Sequence, residues 1–391
     1  MSPILPGSTI GILGGGQLGR MMAMAARSFG YRVQVMDPDP SCPARFVVDA
    51  CFEGQWSDER AAGDLARGCD VVTLEIEQLS LACLEAAVKY APVRPGAAML
   101  GIIQDRILQK NWLRDHGFPV GDYRSATSEQ ELITAIRELG GKCFIKAAKG
   151  GYDGRGQAKV GFTPTEASVD EQGAEAWREL GSRPVIVEKA VNLDCEVSVM
   201  VARRPSGETL SFPTARNHHV NQILVWSVIP AGIPPDLEKR AQELACGIAS
   251  QFTLEGLLAI EMFVSTDGNL LVNELAPRPH NSYHASERAC VTSQFEQGIR
   301  AVCDLPLGDV SVVQPAAIVN LLGDLWLDVD GGQRVPRFDL ALAVPGVRLH
   351  LYEKHTARKG RKMGHLSAVG ATSDDSVARV REAEQRLMQN S

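Results

Sequence analysis

Two glutamates, Glu261 and Glu274, flank the segment Met-Phe-Val-Ser-Thr-Asp-Gly-Asn-Leu-Leu-Val-Asn, in which Asp267-Gly268 is a preferred two-residue hairpin turn. Counting outward pairs 266 with 269, 264 with 271 and 261 with 274, so the two carboxylates stand opposite each other with Cβ atoms about 5 Å apart. Like charges so placed need compensation. A hard divalent cation shared with substrate phosphates supplies it, and so does a proton held between the carboxylates. Solvated edge glutamates are the plain alternative, weakened because both flanking strands are strongly apolar. The following Leu275-Ala276-Pro277-Arg278-Pro279-His280-Asn281-Ser282 is held irregular by its prolines and presents Arg278, His280 and Asn281 beside the pair. Arg278, a permanent forked cation, suits an oxyanion. No Cys or His stands at ligand spacing from His280, so zinc is not indicated.

A second source of chemistry is glycine. Lys146 ends an apolar strand and is followed by a loop with Gly150, Gly151, Gly154 and Gly156. Such a loop frees backbone N–H groups to wrap phosphate oxygens, and Lys146 adds a fixed charge. The Walker A pattern is absent, and a surface hairpin loop is the plain alternative. Near the start, Gly14-x-Gly16-x-x-Gly19 follows a strand and opens a helix, with Asp37 closing the next strand, which matches the dinucleotide-binding fingerprint. That turn alone admits a nicotinamide or flavin cofactor, another ligand, or simple tight packing. Lys354, Arg358, Lys359, Arg361 and Lys362 form a local basic cluster. Little aromatic residue is interleaved for base stacking, so it points to a phosphate-bearing small ligand or a solvated loop rather than nucleic acid.

The elements that position these residues read as follows. Thr9 to Leu13, a helix from Arg20 to Phe29 and Arg32 to Met36 make a parallel βαβ unit, extended by a strand at Asp70 to Glu75 and a helix at Ser80 to Tyr90. Ile102 to His116 carries helical apolar spacing with Arg106 and Lys110 on one face. Ser128 caps a helix to Leu139, with Glu131 as its capping-box partner. Further strands lie at 144–147, 185–188, 196–202, 257–264 and 270–275, and Asp374 to Gln389 is an exposed amphipathic helix. Proline and glycine punctuation near residues 100 and 305 divides the chain into regions 1–100, 101–304 and 305–391.

Composition bounds the function. The 391 residues are 45% hydrophobic and 22% charged, enough for two or three cores. Lys plus Arg number 40 against 47 Asp plus Glu, a net charge of -7 that argues against a nucleic-acid coat. The nine cysteines include no Cys-x-x-Cys pair, so reduced thiols are expected. The first 20 residues lack a secretory signal and no 18-residue apolar run occurs, which leads to the expectation of a cytoplasmic protein off the membrane.

Taken together, the chain resembles the ATP-grasp superfamily and, within it, the ATP-dependent carboxylases of purine biosynthesis that make N5-carboxyaminoimidazole ribonucleotide. The resemblance runs nearly end to end. It is carried by Gly14-Gly15-Gly16-Gln17-Leu18-Gly19-Arg20, Gln104-Asp105-Arg106, Gly151-Tyr152-Asp153-Gly154-Arg155-Gly156-Gln157, the segment from Asn273 to Ser282 and Gly360-Arg361-Lys362-Met363-Gly364-His365. It implies a mixed α/β and α+β fold: a Rossmann-like pre-ATP-grasp domain without a dinucleotide, a central ATP-grasp domain and a small β-rich C-terminal domain, in a homodimer.

The resemblance also implies roles. Arg106, Lys146, the loop Gly151 to Gln157, Glu188, Lys189, Ala190, Val191, Glu196, His219, Asn273 and Glu274 would surround ATP, with Glu188 facing the adenine amino group and Glu196 the ribose. Glu261 and Glu274 would carry magnesium, for which manganese can substitute. Gln17, Leu18, Glu75, Tyr152, Asp153, Asn281, Lys354, Arg361 and Lys362 would meet aminoimidazole ribonucleotide. The implied reaction consumes ATP and bicarbonate, needs neither NAD nor biotin, and passes through carboxyphosphate, with Asp153, Arg155 and Arg278 as catalytic residues and the 151–157 loop as a lid against water. Arg216, Val225-Trp226, Lys149-Gly150 and Tyr283 depart from common forms of the family and bear on substrate identity. The rivals are a nicotinamide-dependent oxidoreductase, a noncatalytic nucleotide-binding protein and another ATP-grasp enzyme acting on a related ribonucleotide.

Overall fold

The computed structural model describes residues 2–150, 156–162, 167–328, 330 and 332–389. Its N-terminal sheet is parallel, with Ala50–Glu53, Arg32–Asp37, Thr9–Leu13 and Val71–Leu74 side by side in that order. Thr9–Leu13 is buried along its whole length, which is why an uninterrupted apolar run forms it. The chain turns at Gly14, whose φ of +112° favours glycine. The helix then begins at Gln17, three residues earlier than the periodicity predicts, and runs to Ser28.

That early start has a cause outside the local sequence. Gly16 is the N-cap and offers no side chain, but the Glu75 carboxylate, from just beyond Val71–Leu74, accepts hydrogen bonds from the backbone N–H of Gly16 at 2.6 Å and of Gly19 at 2.9 Å. Asp37 accepts from Gly15 N–H at 2.8 Å. Helix N-termini attract anions, and here the anion is a side chain of the protein itself. Three of the backbone donors around this turn are therefore already engaged by the protein's own carboxylates.

The central region is built on two further sheets. Tyr123–Ala126, Val185–Lys189, Cys143–Ala147 and Gln157–Val160 form an antiparallel sheet, backed by the helices Glu129–Glu138 and Val169–Glu179, whose Leu132, Ile136 and Ala176 pack on Ile145 and Val187. The periodic stretch 102–116 is two helices, Ala97–Ile103 and Arg106–Asp115, because Asp105 breaks it and accepts from the N–H groups of Ile107 and Leu108. Ser128 caps its helix as expected, while the Glu131 carboxylate reaches one residue further, to Thr127.

The largest sheet has nine strands among the described residues. In order they are Leu270–Ala276, Gly256–Ser265, Leu193–Arg203, Ala215–Val220, Ile223–Ile229, Ala316–Leu322, Lys362–Val369 and Val347–Leu351, with Thr209–Ser211 paired to Leu193–Arg203. The sheet passes without interruption into the region after residue 305, since Trp226 pairs with Val319 and Ile229 with Ala316. The C-terminal helix Ser373–Leu387 is not exposed all round: Val380, Ala383 and Leu387 are buried on this sheet against Val319 and Leu366.

Gly19 allows the first helix to lie close over the turn, for a Cβ there would stand 2.3 Å from the carbonyl oxygen of Gly14. Gly19→Ala is expected to cost about 1–3 kcal/mol, because backbone and not a flexible side chain must give way. Chemical denaturation of the variant beside the parent checks it; an unchanged midpoint refutes it.

Candidate active site

A cavity of about 790 Å³ lies between the small antiparallel sheet and the large one. The volume is in the range of cofactor and ligand sites. Lys146 and Glu188 come from the small sheet, Arg106 and Lys110 from the helix that Asp105 caps, and Glu196, His219, Glu261, Asn273, Glu274 and Lys362 from the large sheet.

Glu261 and Glu274 are cross-strand partners, as the sequence predicts, by a different route. The turn holds three residues, with Ser265 N–H donating to Asn269 at 2.9 Å and Gly268 at φ +77°. That moves the register by one, so Val264 faces Leu270 and Met262 faces Val272. A bulge between Met262 and Glu261 moves it back. The unpaired residue is Asn273, and its side-chain oxygen lies 3.4 Å from Lys146 Nζ. A bulge re-aims a side chain in this way, and here it also restores the opposition of the two carboxylates.

The two glutamates have unequal environments. Burial pushes Glu261 up to about 7, opposed by His219 and reinforced by the nearby Glu274 and Glu196. Burial acts the same way on Glu274, but Arg106, 3.0 Å away, and Lys146 outweigh it and hold this carboxyl below its ordinary value. One carboxylate is thus matched by fixed cations while the other, among the described residues, lacks a full counter-charge, which is what a site for a further cation requires. His280 accepts at Nδ1 from Ser282 N–H at 3.4 Å, which leaves Nε2, 3.6 Å from Glu261, to carry the proton. Burial and the nearby Arg278 keep this imidazole neutral.

Glu188 is bound by two lysines, Lys110 at 2.9 Å and Lys146 in closer contact. Burial alone would raise its carboxyl, and the two cations more than reverse this and hold it well below the carboxylate range. Lys110 also donates to the Val272 carbonyl at 3.0 Å. The sequence places Lys110 on the Arg106 face but assigns it no role; its partner lies 78 positions away in the chain, and only the tertiary fold brings them together. Arg278 meets Glu77 at 2.7 Å, and His219 Nδ1 lies 2.5 Å from Glu196. Asn281 has both side-chain polar atoms buried with no partner among the described residues, on the cavity wall. Buried polar atoms are normally satisfied, and those of Asn281 leave hydrogen-bonding capacity on the cavity wall that no described residue takes up.

Gln157, Lys189 and Val191 also line the cavity. Ala190 stands outside the wall, its N–H donating to Lys142, and Gly156 accepts from Ala147 at the mouth of the glycine loop. Gly151, Tyr152, Asp153, Gly154 and Arg155 lie outside the described residues. Of the residues expected around the second substrate, Lys362 and Asn281 reach the cavity, and Gln17, Leu18, Glu75, Lys354 and Arg361 do not line it. Glu75 is buried under the first glycine turn, near enough to Arg278 for their charges to interact. Lys354 Nζ donates to the Lys362 carbonyl at 2.8 Å, so the basic segment folds onto itself.

Comparison with known proteins follows this architecture. A ribonucleotide synthetase preATP-grasp domain matches residues 7–104, an ATP-grasp domain residues 111–295, and a phosphoribosylaminoimidazole carboxylase C-terminal domain residues 316–379. The N5-carboxyaminoimidazole ribonucleotide synthase of Bacillus subtilis is 40% identical over 377 residues, covering 96% of this chain and 95% of that one. The chain belongs to the N5-carboxyaminoimidazole ribonucleotide synthase family. Among solved structures of this synthase family, an ADP complex superposes with a TM-score of 0.89 at 40% identity over all of both chains. The synthase of Aspergillus clavatus, in complex with ADP and 5-aminoimidazole ribonucleotide, gives 0.86 at 30% identity over 97% of this chain and 98% of that one.

The positions that depart from common forms of the synthase family now have a location. Arg216 pairs with Asp374 of the C-terminal helix at 2.8 Å and lies over the Trp226 ring, and neither residue lines the cavity. The buried Tyr283 hydroxyl donates to backbone carbonyls, with Ser198 O at 2.8 Å. Lys149 stands on the wall, 3.7 Å from Asp105.

Lys110→Met should cost about 3 kcal/mol at neutral pH, because a buried carboxylate loses one partner. In Lys110→Met/Glu188→Gln the loss should be smaller than the sum of the single losses; strict additivity would show the pair uncoupled. Since the folded state depresses the Glu188 carboxyl, its contribution is complete above the ordinary value of 4.5 and fades as pH falls toward the depressed one, so the parent and Lys110→Met should converge on acidification. Arg216→Ala, which removes a partly exposed pair, should change stability by under about 1 kcal/mol and leave steady-state turnover at the parent value; a loss of turnover would tie Arg216 to the site.

Proposed function

We propose that the protein carboxylates 5-aminoimidazole ribonucleotide at its exocyclic amine, consuming ATP and bicarbonate and releasing ADP, phosphate and N5-carboxyaminoimidazole ribonucleotide, in purine biosynthesis. The observation that carries this reading is the Glu261–Glu274 pair set among Arg106, Lys146 and Arg278 in one cavity. Two hard oxygen ligands surrounded by fixed cations suit a nucleotide triphosphate with its metal ion. Family membership over nearly the whole chain and the relative solved with ADP and 5-aminoimidazole ribonucleotide support the substrates. No helix among the described residues is long and apolar enough to cross a membrane. A cytoplasmic homodimer completes the reading.

Magnesium, or manganese in its place, fits the carboxylate pair because Glu261 lacks a full counter-charge. Held by Glu261 and Glu274, it would neutralise developing charge on the phosphoryl oxygens. Arg106 and Lys146 bind the phosphates, and the loop 151–157 covers them. Glu196 and His219, already in contact, hold the ribose. Glu188 and the backbone of Lys189 to Val191 meet the adenine; Glu188 must share its hydrogen-bonding capacity with Lys110 and Lys146 to do so.

Bicarbonate oxygen attacks the γ-phosphoryl group and ADP leaves, so positioning and charge matter more than any protein nucleophile. Arg278 and Asn281 bind the carboxyphosphate, Asp153 and Arg155 orient it and handle protons, and exclusion of water protects it. Gln17 and Leu18 meet the ribonucleotide, on a turn that Glu75 holds in shape, while Lys354, Arg361 and Lys362 take its phosphate.

Phosphate release should require bicarbonate and 5-aminoimidazole ribonucleotide together, in the presence of magnesium. Release that ignores either one overturns the reading. Glu274→Gln should lower turnover on the order of 100-fold or more, the scale of losing one charge-stabilising group, with the fold retained by circular dichroism. Parent-level turnover in that variant would remove the metal assignment.

A further inference from the structure

The first glycine turn carries a feature that the carboxylation chemistry does not use. Cys42 and Cys51 are nine positions apart, on either side of the short 3-10 helix Pro43–Val47, and their sulfur atoms lie 3.9 Å from each other. Cys51 is partly exposed on the edge strand Ala50–Glu53, and Cys42 is buried. Arg45 stands beside Cys51, and Asp37 is the acidic group near both.

Cys42 is also in contact with the turn. A Cβ added to Gly15 would stand 2.4 Å from the Cys42 sulfur, and Ala44 N–H donates to the Gly15 carbonyl at 2.8 Å. Gly15 N–H in turn is held by Asp37, whose second oxygen accepts from Asp39 N–H, and the Asp39 carbonyl accepts from Cys42 N–H. Arg20, in the first turns of the helix, donates to the Pro43 carbonyl at 3.1 Å. A displacement of the Cys42 sulfur toward Cys51 therefore acts on Gly15 and on the residues two and three positions further, Gln17 and Leu18.

We propose that Cys42 and Cys51 form a peroxide-reactive modification site, with Cys51 as the attacking thiolate and Cys42 as the resolving thiol, whose disulfide reshapes the glycine turn. The partly exposed thiol beside an arginine, next to a second buried thiol, is the arrangement that redox-sensing cysteines share. The hydrogen bond from Cys42, opposed by partial burial and reinforced by Arg45, holds the Cys51 thiol down at about 7, while the same contact and burial hold Cys42 up. The Cys51 sulfur attacks one oxygen of a hydroperoxide, gives up an electron pair to break the O–O bond and becomes a sulfenic acid, while the other oxygen leaves as an alcohol or, from hydrogen peroxide, as water. The Cys42 sulfur then attacks the Cys51 sulfur, its proton leaves with the hydroxide, and one water and one disulfide result. A dithiol donates two electrons to one peroxide, and reduction by a small dithiol reverses the change.

The chemical step stands independently of the proposed function; its effect on the ribonucleotide rests on that reading. Trypsin cleaves at Arg32, Arg45 and Arg60, so Cys42 and Cys51 fall on different peptides, 33–45 and 46–60. After hydrogen peroxide treatment of the full-length protein, mass spectrometry under non-reducing conditions should find these two peptides joined, lighter by two hydrogens than their sum, and separated again by dithiothreitol. Cys42→Ser should instead leave Cys51 as a sulfenic acid that dimedone labels, and Cys51→Ser should give neither product. The oxidised parent should show a KM for 5-aminoimidazole ribonucleotide changed on the order of tenfold, the scale of a small misplacement of positioning groups, with the KM for ATP unchanged, and Cys51→Ser should keep the parent constants after peroxide. Absence of the joined peptides overturns the site. Joined peptides with unchanged kinetics overturn its coupling to the turn. If the reduced parent shows no turnover with this ribonucleotide, the proposed function fails while the peptide result still decides the thiol chemistry.

Discussion

Charge withdrawn from water has to be answered by charge, and this requirement organises the molecule. Glu188, Glu261 and Glu274 share one cavity with Arg106, Lys110 and Lys146. Desolvation of an isolated carboxylate would neutralise it or unfold its surroundings. Glu188 and Glu274 escape this because cations from a neighbouring helix and strand reach them. Glu261 escapes it only in part, and that shortfall distinguishes a place for a ligand from a completed ion pair. The helix that brings Arg106 and Lys110 exists in its observed frame because Asp105 caps it, so one aspartate sets the direction from which two of these three cations arrive.

The same requirement explains why a dinucleotide-like turn serves another purpose. The helix N-terminus after Gly14-Gly15-Gly16 is a place for an anion, and Glu75 and Asp37 already accept from the N–H groups of Gly15, Gly16 and Gly19. An internal carboxylate holds the turn, and with it the positions of Gln17 and Leu18 at the start of the helix. Spacing of glycines reports the shape of a turn. What fills the turn depends on a residue nearly 60 positions away.

Much of this was readable from the amino-acid order. The first strand matches its predicted bounds, the Glu261–Glu274 opposition holds, and the resemblance led to the right family. The hairpin shows how a correct result can rest on two offsetting departures: a three-residue turn in place of two, and a bulge at Asn273. Neither is encoded by alternation of apolar and polar residues, because a bulge is decided by what its side chain finds across the cavity, here Lys146 of the smaller sheet. The split at Asp105 was concealed because apolar spacing continues on both sides of it. Lys110 was visible only as a polar position on a helix face, since its role depends on Glu188 in another element.

One property of the large sheet reaches beyond the positions of single residues. Glu196, His219, Glu261, Glu274 and Lys362 all project from strands of a single hydrogen-bonded sheet, which continues from the central region into the C-terminal one. A paired sheet resists shear, because sliding one strand past the next breaks a whole ladder of bonds and inverts its faces. These groups are thus spaced as marks on a common ruler. Lys146 and Glu188 belong to the separate four-stranded sheet, which among the described residues shares no strand ladder with the large one. The larger sheet therefore keeps the measure of the site, and the smaller one is set against it by packing alone.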